Sequence, residues 1–291
     1  MDHAIARIPF DDTRYPNLLK EIPDAPTKLF CKGSLPIPDA LCVAIIGTRK
    51  ATTQGRSIAR RLASDLARQG IIIVSGLAIG IDTVAHEGAL EVHGTTIAVL
   101  ANGLNAIYPA QNTTLAKNIL SGGGAIVSEY PQGTPAYPNQ FLERNRIVSG
   151  LCVATIVVEA PERSGTIATA RFALEQGREV FVIPGPADHP NYTGSHRLIR
   201  DGARLATTAE DICEDLGICP QAKHSPQRSL LEYVGTASEQ TVLATLSDAG
   251  KPLSVDKLTE LTTMEARAVN AALAALVMAG IVKETEHGYS I

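Results

Sequence analysis

Val43-Ala44-Ile45-Ile46-Gly47-Thr48-Arg49 joins an apolar, mostly β-branched run to a glycine, a hydroxyl and a guanidinium. A run without polar alternation suits a strand buried on both faces. Gly55 follows, and from Arg56 to about Gln69 the apolar residues recur at helical spacing. A buried strand that opens through glycine onto a helix start gathers backbone N–H groups and a fixed positive charge at one point. That point suits an anion such as a phosphate. The same residues also fit an ordinary β-α turn with a surface arginine, so the neighbouring sequence has to decide.

Outward from this stretch, apolar runs at 41–47, 71–75, 95–101, 125–128, 153–159 and 179–184, with a weaker one at 204–206, predict strands. Amphipathic patterns at 55–69, 82–91, 112–120, 141–150, 165–177, 195–201 and 208–216 predict the helices between and after them. The alternation implies an α/β domain over 41–217, an extended Rossmann-like, doubly wound and mostly parallel sheet with right-handed crossovers. Ligands of such sheets bind at the carboxyl ends of the strands. Those ends carry Gly47-Thr48-Arg49, Ser75-Gly76, Asn102-Gly103, Glu129, Glu159 with Ser164-Gly165-Thr166, and Pro184-Gly185.

The flanks differ. Residues 1–40 are proline-rich with little periodicity and read as an N-terminal arm packed on the core. Residues 218–236 read as a linker. The tail, 237–291, predicts helices at 239–247, 255–261 (with Ser254 as N-cap) and 264–279, a stop at Gly280 and a terminal hairpin, the pattern of a small winged-helix domain. Its basic residues are Lys251, Lys257, Arg267 and Lys283, against seven acidic ones, a net of −3. Binding to DNA releases counterions in proportion to the phosphates neutralised, so this charge favours a protein contact for the tail.

The whole chain of 291 residues has a formal net charge of −4, which argues against a broadly basic coat but leaves room for a local basic groove. No apolar run reaches the ~18 residues of a membrane span, and no leader-like segment opens the chain, so a cytoplasmic protein is expected. The five cysteines lack any C-x-x-C pair and read as reduced thiols. No metal or cofactor is expected: Asp82 and His86 share a helix face but have no third ligand at a matching spacing. Asp82 fits a helix N-cap, and His86 a buried, hydrogen-bonded imidazole. Glu159 is either a catalytic carboxylate or a residue that orders a loop by accepting its N–H groups.

The densest polar cluster is Phe141-Leu142-Glu143-Arg144-Asn145-Arg146. Arg144 and Arg146 are two apart and cannot face one partner closely on a helix. One is free to reach a ligand while the other pairs internally. Tyr108, Tyr130 and Tyr137 lie near in sequence. Aromatic faces beside arginines and helix-start amides are the ingredients of a single-strand groove, where bases stack and phosphates pair. The competing reading makes Phe141 core and ties the arginines to Glu129 or Glu159.

Taken in order, Ala44-Ile45-Ile46-Gly47-Thr48-Arg49 … Gly55, Ser75-Gly76-Leu77-Ala78-Ile79-Gly80-Ile81-Asp82, Tyr108-Pro109 … Asn112, Ser128-Glu129-Tyr130-Pro131, Phe141 … Arg144-Asn145-Arg146-Ile147, Val158-Glu159-Ala160 … Ser164-Gly165-Thr166 … Thr169-Ala170 and Val182-Ile183-Pro184-Gly185 resemble the DNA-processing protein A (DprA, or Smf) family over roughly 10–215. The tail resembles the winged-helix domain many members carry. The resemblance implies a non-enzymatic homodimer that binds single-stranded DNA, protects incoming DNA and loads the RecA recombinase during natural transformation. It also implies a DNA pocket of Gly47, Thr48, Arg49, Phe141, Arg144, Asn145 and Arg146, to which Ser164, Gly165 and Thr166 are added as a helix start. Arg49 is expected at a phosphate, Phe141 against a base, and Asn145 in the pocket or on DNA. Thr48 stands where serine is common, and no lysine precedes Phe141.

Two rivals remain. Rossmann-like phosphoribohydrolases split nucleoside monophosphates with a P-G-G-x-G-T-x-x-E loop; here Thr169 stands at the catalytic glutamate's position. A ligand-sensing winged-helix transcription regulator would need a more basic tail.

Overall fold

The computed structural model describes residues 4–36, 38–218, 236–249, 252–278, 282–285 and 288–290. It divides into two compact units, Met1–Gln221 and Ala222–Ile291.

In the larger unit the apolar runs form parallel strands: β3 (Cys42–Ile46), β4 (Ile72–Ser75), β5 (Thr96–Val99), β6 (Ala125–Ser128), β7 (Ala154–Val157), β8 (Glu179–Val182) and β9 (Arg204–Leu205). Every side chain of β3, β4, β5, β6 and β7 is buried, which is why these runs show no alternation. Helices α2 (Thr53–Arg68), α3 (Ile81–Glu91), α4 (Thr113–Ser121), α5 (Pro138–Gly150), α6 (Gly165–Glu175), α7 (Thr193–Arg200) and α8 (Ala209–Asp215) cover the two faces. Separate apolar clusters lie on each face; Ala44 and Ile46 point into one, Val43 and Ile45 into the other.

The sheet order is β1-β2-β6-β5-β4-β3-β7-β8-β9. The chain builds β3 to β6 outward on one side, then returns to lay β7 beside β3. The order therefore reverses between β3 and β7, and the crevice above their carboxyl ends is where such sheets bind ligands.

Residues 1–40 are more than a draped arm. They contribute β1 (Ile5–Pro9), the short helix α1 (Asn17–Lys20) and β2 (Lys28–Gly33), and β2 pairs antiparallel with β6. Tyr15, Leu19, Ile22, Leu29 and Cys31 join the main core. The strands are short and separated by Pro16, Pro23 and Pro26, which hides their alternation in the sequence. Two of the helix starts that differ from expectation bear on the crevice. α5 starts at Pro138 because Pro fits the first helical position and the Gln140 carboxamide oxygen accepts the Tyr137 N–H (2.9 Å). α3 is capped by Gly80 at φ +93°, where a Cβ would lie 2.4 Å from the Thr48 carbonyl oxygen. Asp82 is thus inside the first turn and is not the N-cap.

The smaller unit packs α9 (Ala237–Ala249), α10 (Val255–Thr262) and α11 (Ala266–Met278) around Val242, Leu246, Leu258, Val269, Leu273 and Leu276. Ser254 accepts the Lys257 N–H (3.3 Å) at the start of α10. Strands β10 (Lys283–Thr285) and β11 (Gly288–Ser290) form the hairpin of a winged helix. The expected linker, apart from its end residues 218 and 236, and the helix stop at Gly280 lie outside the described residues.

Candidate nucleic-acid site

A cavity of about 630 Å³ opens above the β3–β7 reversal. Gly47, Thr48 and Arg49 line it from the end of β3, Gly76 and Ala78 from the end of β4, and Arg163 to Thr166 from the loop that starts α6. α5 crosses it and supplies Phe141, Leu142, Arg144 and Asn145. Of the residues singled out in sequence, nine meet here: Gly47, Thr48, Arg49, Phe141, Arg144, Asn145, Ser164, Gly165 and Thr166.

The tenth does not. Arg146 faces the other side of α5, where Nη2 meets Glu129 Oε2 (2.7 Å) and Nε meets Asp24 Oδ2 (2.8 Å). Burial alone lowers its pKa, but the hydrogen bond and charge of Glu129 and the charge of Asp24 outweigh it, and the net shift is upward. Arg146 is committed to structure, because two residues of helix turn it away from the face that Arg144 occupies.

The loop that carries Arg49 is anchored on both sides. The Thr48 N–H donates to the Glu159 carbonyl oxygen (2.8 Å), and the Thr48 carbonyl oxygen accepts the Ile81 N–H (3.3 Å). The Thr48 hydroxyl accepts the Lys50 N–H (3.2 Å). Glu159 is fully buried without an ion pair among the described residues. Its carboxylate accepts the Thr52 N–H (3.1 Å), the Thr52 hydroxyl, Asn191 Nδ2 (2.9 Å) and the Tyr192 hydroxyl (3.2 Å). These bonds order the loop after β3 and not the one before α6. Gly55 is required beside it, since a Cβ there would lie 2.2 Å from Glu159 Oε1.

Arg49 is left exposed, its guanidinium 5.5 Å from the centroid of the Phe141 ring. Tyr108 tilts against Phe141 at 5.5 Å and is half exposed. The rim is therefore aromatic and cationic. Deeper in, Arg144 is 5% exposed; its Nη1 donates to the Gly76 (2.6 Å) and Val99 carbonyl oxygens. A Cβ on Gly76 would lie 2.7 Å from the Arg144 guanidinium, so glycine is the residue that lets it in. Burial, opposed by Asp82 and reinforced by Arg49, lowers the Arg144 pKa to about 10, which leaves it charged at neutral pH. Asp82 Oδ2 accepts the Gly76 (3.1 Å) and Ala78 (3.3 Å) N–H groups; burial raises its pKa and the Arg144 charge works against that rise.

On the opposite wall Asn145 Nδ2 donates to the Gly165 carbonyl oxygen (3.3 Å), tying α5 to the start of α6. Thr169 donates to the same oxygen (3.2 Å) and presents only a hydroxyl where the phosphoribohydrolase loop has its carboxylate. Arg163, an exposed cation on the rim, was missed in sequence; its place one residue ahead of Ser164-Gly165-Thr166 was the available signal. Taken together, these groups can hold an anion and stack a planar ring. His86 sits apart, fully buried, its Nδ1 2.6 Å from the Thr96 hydroxyl and its Nε2 without a partner. Among the described residues no group of three or more His, Cys, Asp or Glu side chains could hold a metal ion, and no helix is long and apolar enough to cross a membrane.

Comparison with known proteins follows the same division. The sequence model of the family described as DNA recombination-mediator protein A matches residues 6–217, and that of the DprA winged helix domain matches 220–286. Protein Smf of Escherichia coli is 47% identical over 209 residues, 72% of this chain and 56% of that protein, so the chain spans little more than half of that relative's length. DNA processing protein DprA of Bacillus subtilis is 41% identical, with 74% of this chain and 72% of that protein covered. The crystal structure of DprA from Streptococcus pneumoniae superposes with a TM-score of 0.68 at 40% identity, covering 72% of this chain and 74% of that one. DNA processing protein A from Helicobacter pylori, whose structure is described for its single-stranded DNA binding mode, gives 0.66 at 31% identity and covers 74% of this chain and 98% of that one.

Proposed function

The chain belongs to the DNA recombination-mediator protein A family, and from that premise we propose that it binds single-stranded DNA and hands it to a RecA-type recombinase. The observation that carries the reading is the exposed Arg49 guanidinium set against Phe141 and Tyr108 at the mouth of a cavity floored by Arg144. Arg49 holds a backbone phosphate, and the aromatic pair stacks with a base. Gly47 and Thr48 keep the loop close, Asn145 braces the wall, and Ser164, Gly165 and Thr166 turn the start of α6 toward the anion. Arg144 shapes the floor, and Arg146 acts only by holding α5 in place.

Protection of incoming DNA, recombinase loading in natural transformation and function as a homodimer in the cytoplasm complete the reading; they rest on the family. The protein acts by binding and not by catalysis: the hydrolase loop's carboxylate is replaced by Thr169, whose hydroxyl is spent on Gly165. Oligo-dT is expected to bind more tightly than a duplex of the same length, with affinity falling as salt rises. Arg49→Ala should weaken oligo-dT binding about tenfold or more, as expected for loss of one charge-assisted contact, and leave the thermal melt unchanged. Equal affinity for single and double strands in a gel shift sinks the proposal. A collapsed melt in Arg49→Ala assigns the residue to structure instead.

A further inference from the structure

The lining of the cavity is graded with depth. Exposed Arg49, Arg163 and Tyr108 form its mouth, whereas Thr48, Arg144 and Thr166 are each less than a tenth exposed and form its floor. Arg144 satisfies its Nη1 on two backbone carbonyl oxygens, but its Nη2 has no hydrogen-bond partner among the described residues. Nε reaches only Asn145 Oδ1, at 3.4 Å. A largely buried, charged guanidinium that keeps one nitrogen free of protein partners at the bottom of an open cavity is suited to an oxyanion. The floor's one carboxylate, Asp82, already accepts two backbone N–H groups on one oxygen.

An internal phosphodiester carries a nucleoside on both sides. It meets the mouth, where Arg49 and the aromatic pair wait, but burying it to the floor would draw both flanking sugars into the same cavity. A terminal phosphate has a nucleoside on one side only. It can descend to Arg144 while its base remains level with Phe141 and Tyr108. The volume, about 630 Å³, falls in the usual range for small-molecule sites.

We propose that this cavity is a site for a nucleoside phosphomonoester, with the phosphate on the Arg144 floor and the base at the aromatic mouth. The phosphomonoester comes either from the phosphorylated end of a strand or from a free mononucleotide. The inference deepens the single-strand reading and rests on the same cavity, but the two fail separately.

The test uses the full chain and four ligands: oligo-dT with a 5′-phosphate, the same strand with a 3′-phosphate, the unphosphorylated strand, and dTMP with thymidine as its control. Affinities are read by competition against a labelled unphosphorylated strand and by direct calorimetry. A gain of about tenfold for either phosphorylated strand supports the inference and names the strand end as the source. Binding of dTMP but not thymidine, with displacement of the labelled strand, supports it and names the free nucleotide. Identical affinities for all three strands together with no dTMP binding overturn it and leave the single-strand reading standing. If no strand binds while dTMP does, the single-strand reading fails and the phosphomonoester site survives.

Discussion

Arg144 and Arg146 are two positions apart, about 200° of turn on a helix. That angle sends Arg144 through the gap left by Gly76 to the cavity floor, and Arg146 to Glu129 and Asp24 on the opposite side. Arg146→Ala should therefore lower the melting temperature by a few degrees, since it breaks two partly buried ion pairs, yet leave oligo-dT affinity within about twofold. Differential scanning calorimetry and a binding titration on one preparation check both halves. The repeated arginine was visible in sequence; its division of labour was not. Spacing says that the two side chains diverge, but only the packed neighbours say which one meets carboxylates. Arg49 was legible for the opposite reason: it follows a glycine at the end of a buried strand, and local chemistry alone leaves it exposed. Arg163 was not, because its one signal, a place just ahead of Ser164-Gly165-Thr166, gains meaning only once the loop is placed beside a cavity.

At the scale of elements, the parallel strands could be read within a residue or two from continuous apolar runs, as could the helices on their faces except for the start of α5, three residues earlier than its pattern. The β1–β2 pair could not, because its hydrophobic partners lie on β6, nearly a hundred residues further on. Helix α3 offers a test of packing against strand β5. His86 is fully buried against the Thr96 hydroxyl, and burial, reinforced by the charge of Arg144, lowers its pKa to about 3 from an ordinary 6.5. Below pH 6.5 the unfolded chain takes up a proton at this imidazole that the folded chain refuses until about pH 3. Stability from His86 is thus complete above pH 6.5 and is lost as pH falls toward 3. Chemical denaturation between pH 7 and 5 should show declining stability, and His86→Gln should flatten that slope. A slope unchanged in the variant would mean that the imidazole is already charged in the fold.

For the whole molecule the net charge is −4, so the proposed binding of DNA rests on few cations in one place. Arg49 and Arg163 are the exposed cations lining the cavity, and neither makes an ion pair among the described residues. Two phosphates neutralised on a single strand predict a slope of about −1.4 in a plot of log affinity against log salt, shallow beside that of a polybasic protein. Titrations of oligo-dT from low to moderate salt give the slope directly; a value several times steeper would place further cations on the path. Among the described residues Cys31, Cys42, Cys152 and Cys213 are free and buried, and burial pushes the Cys42 thiol up to about 12.

The N-terminal segment, as described from residue 4, does more than extend the sheet. It covers the edge of β6, sets Leu19 and Ile22 against Gly150 at the end of α5, and reaches Arg146 and Arg178 through Asp24, Glu21 and the Leu18 carbonyl oxygen. This segment grips the back of the helix whose front carries Phe141, Arg144 and Asn145. In thermodynamic terms it is a tethered ligand whose binding is linked to the order of the proposed DNA face, held at millimolar-scale effective concentration by its own chain. Severing the tether turns that concentration into an adjustable variable. A protein starting at residue 41 should bind oligo-dT poorly and recover, saturably, as a synthetic peptide of residues 1–40 is added.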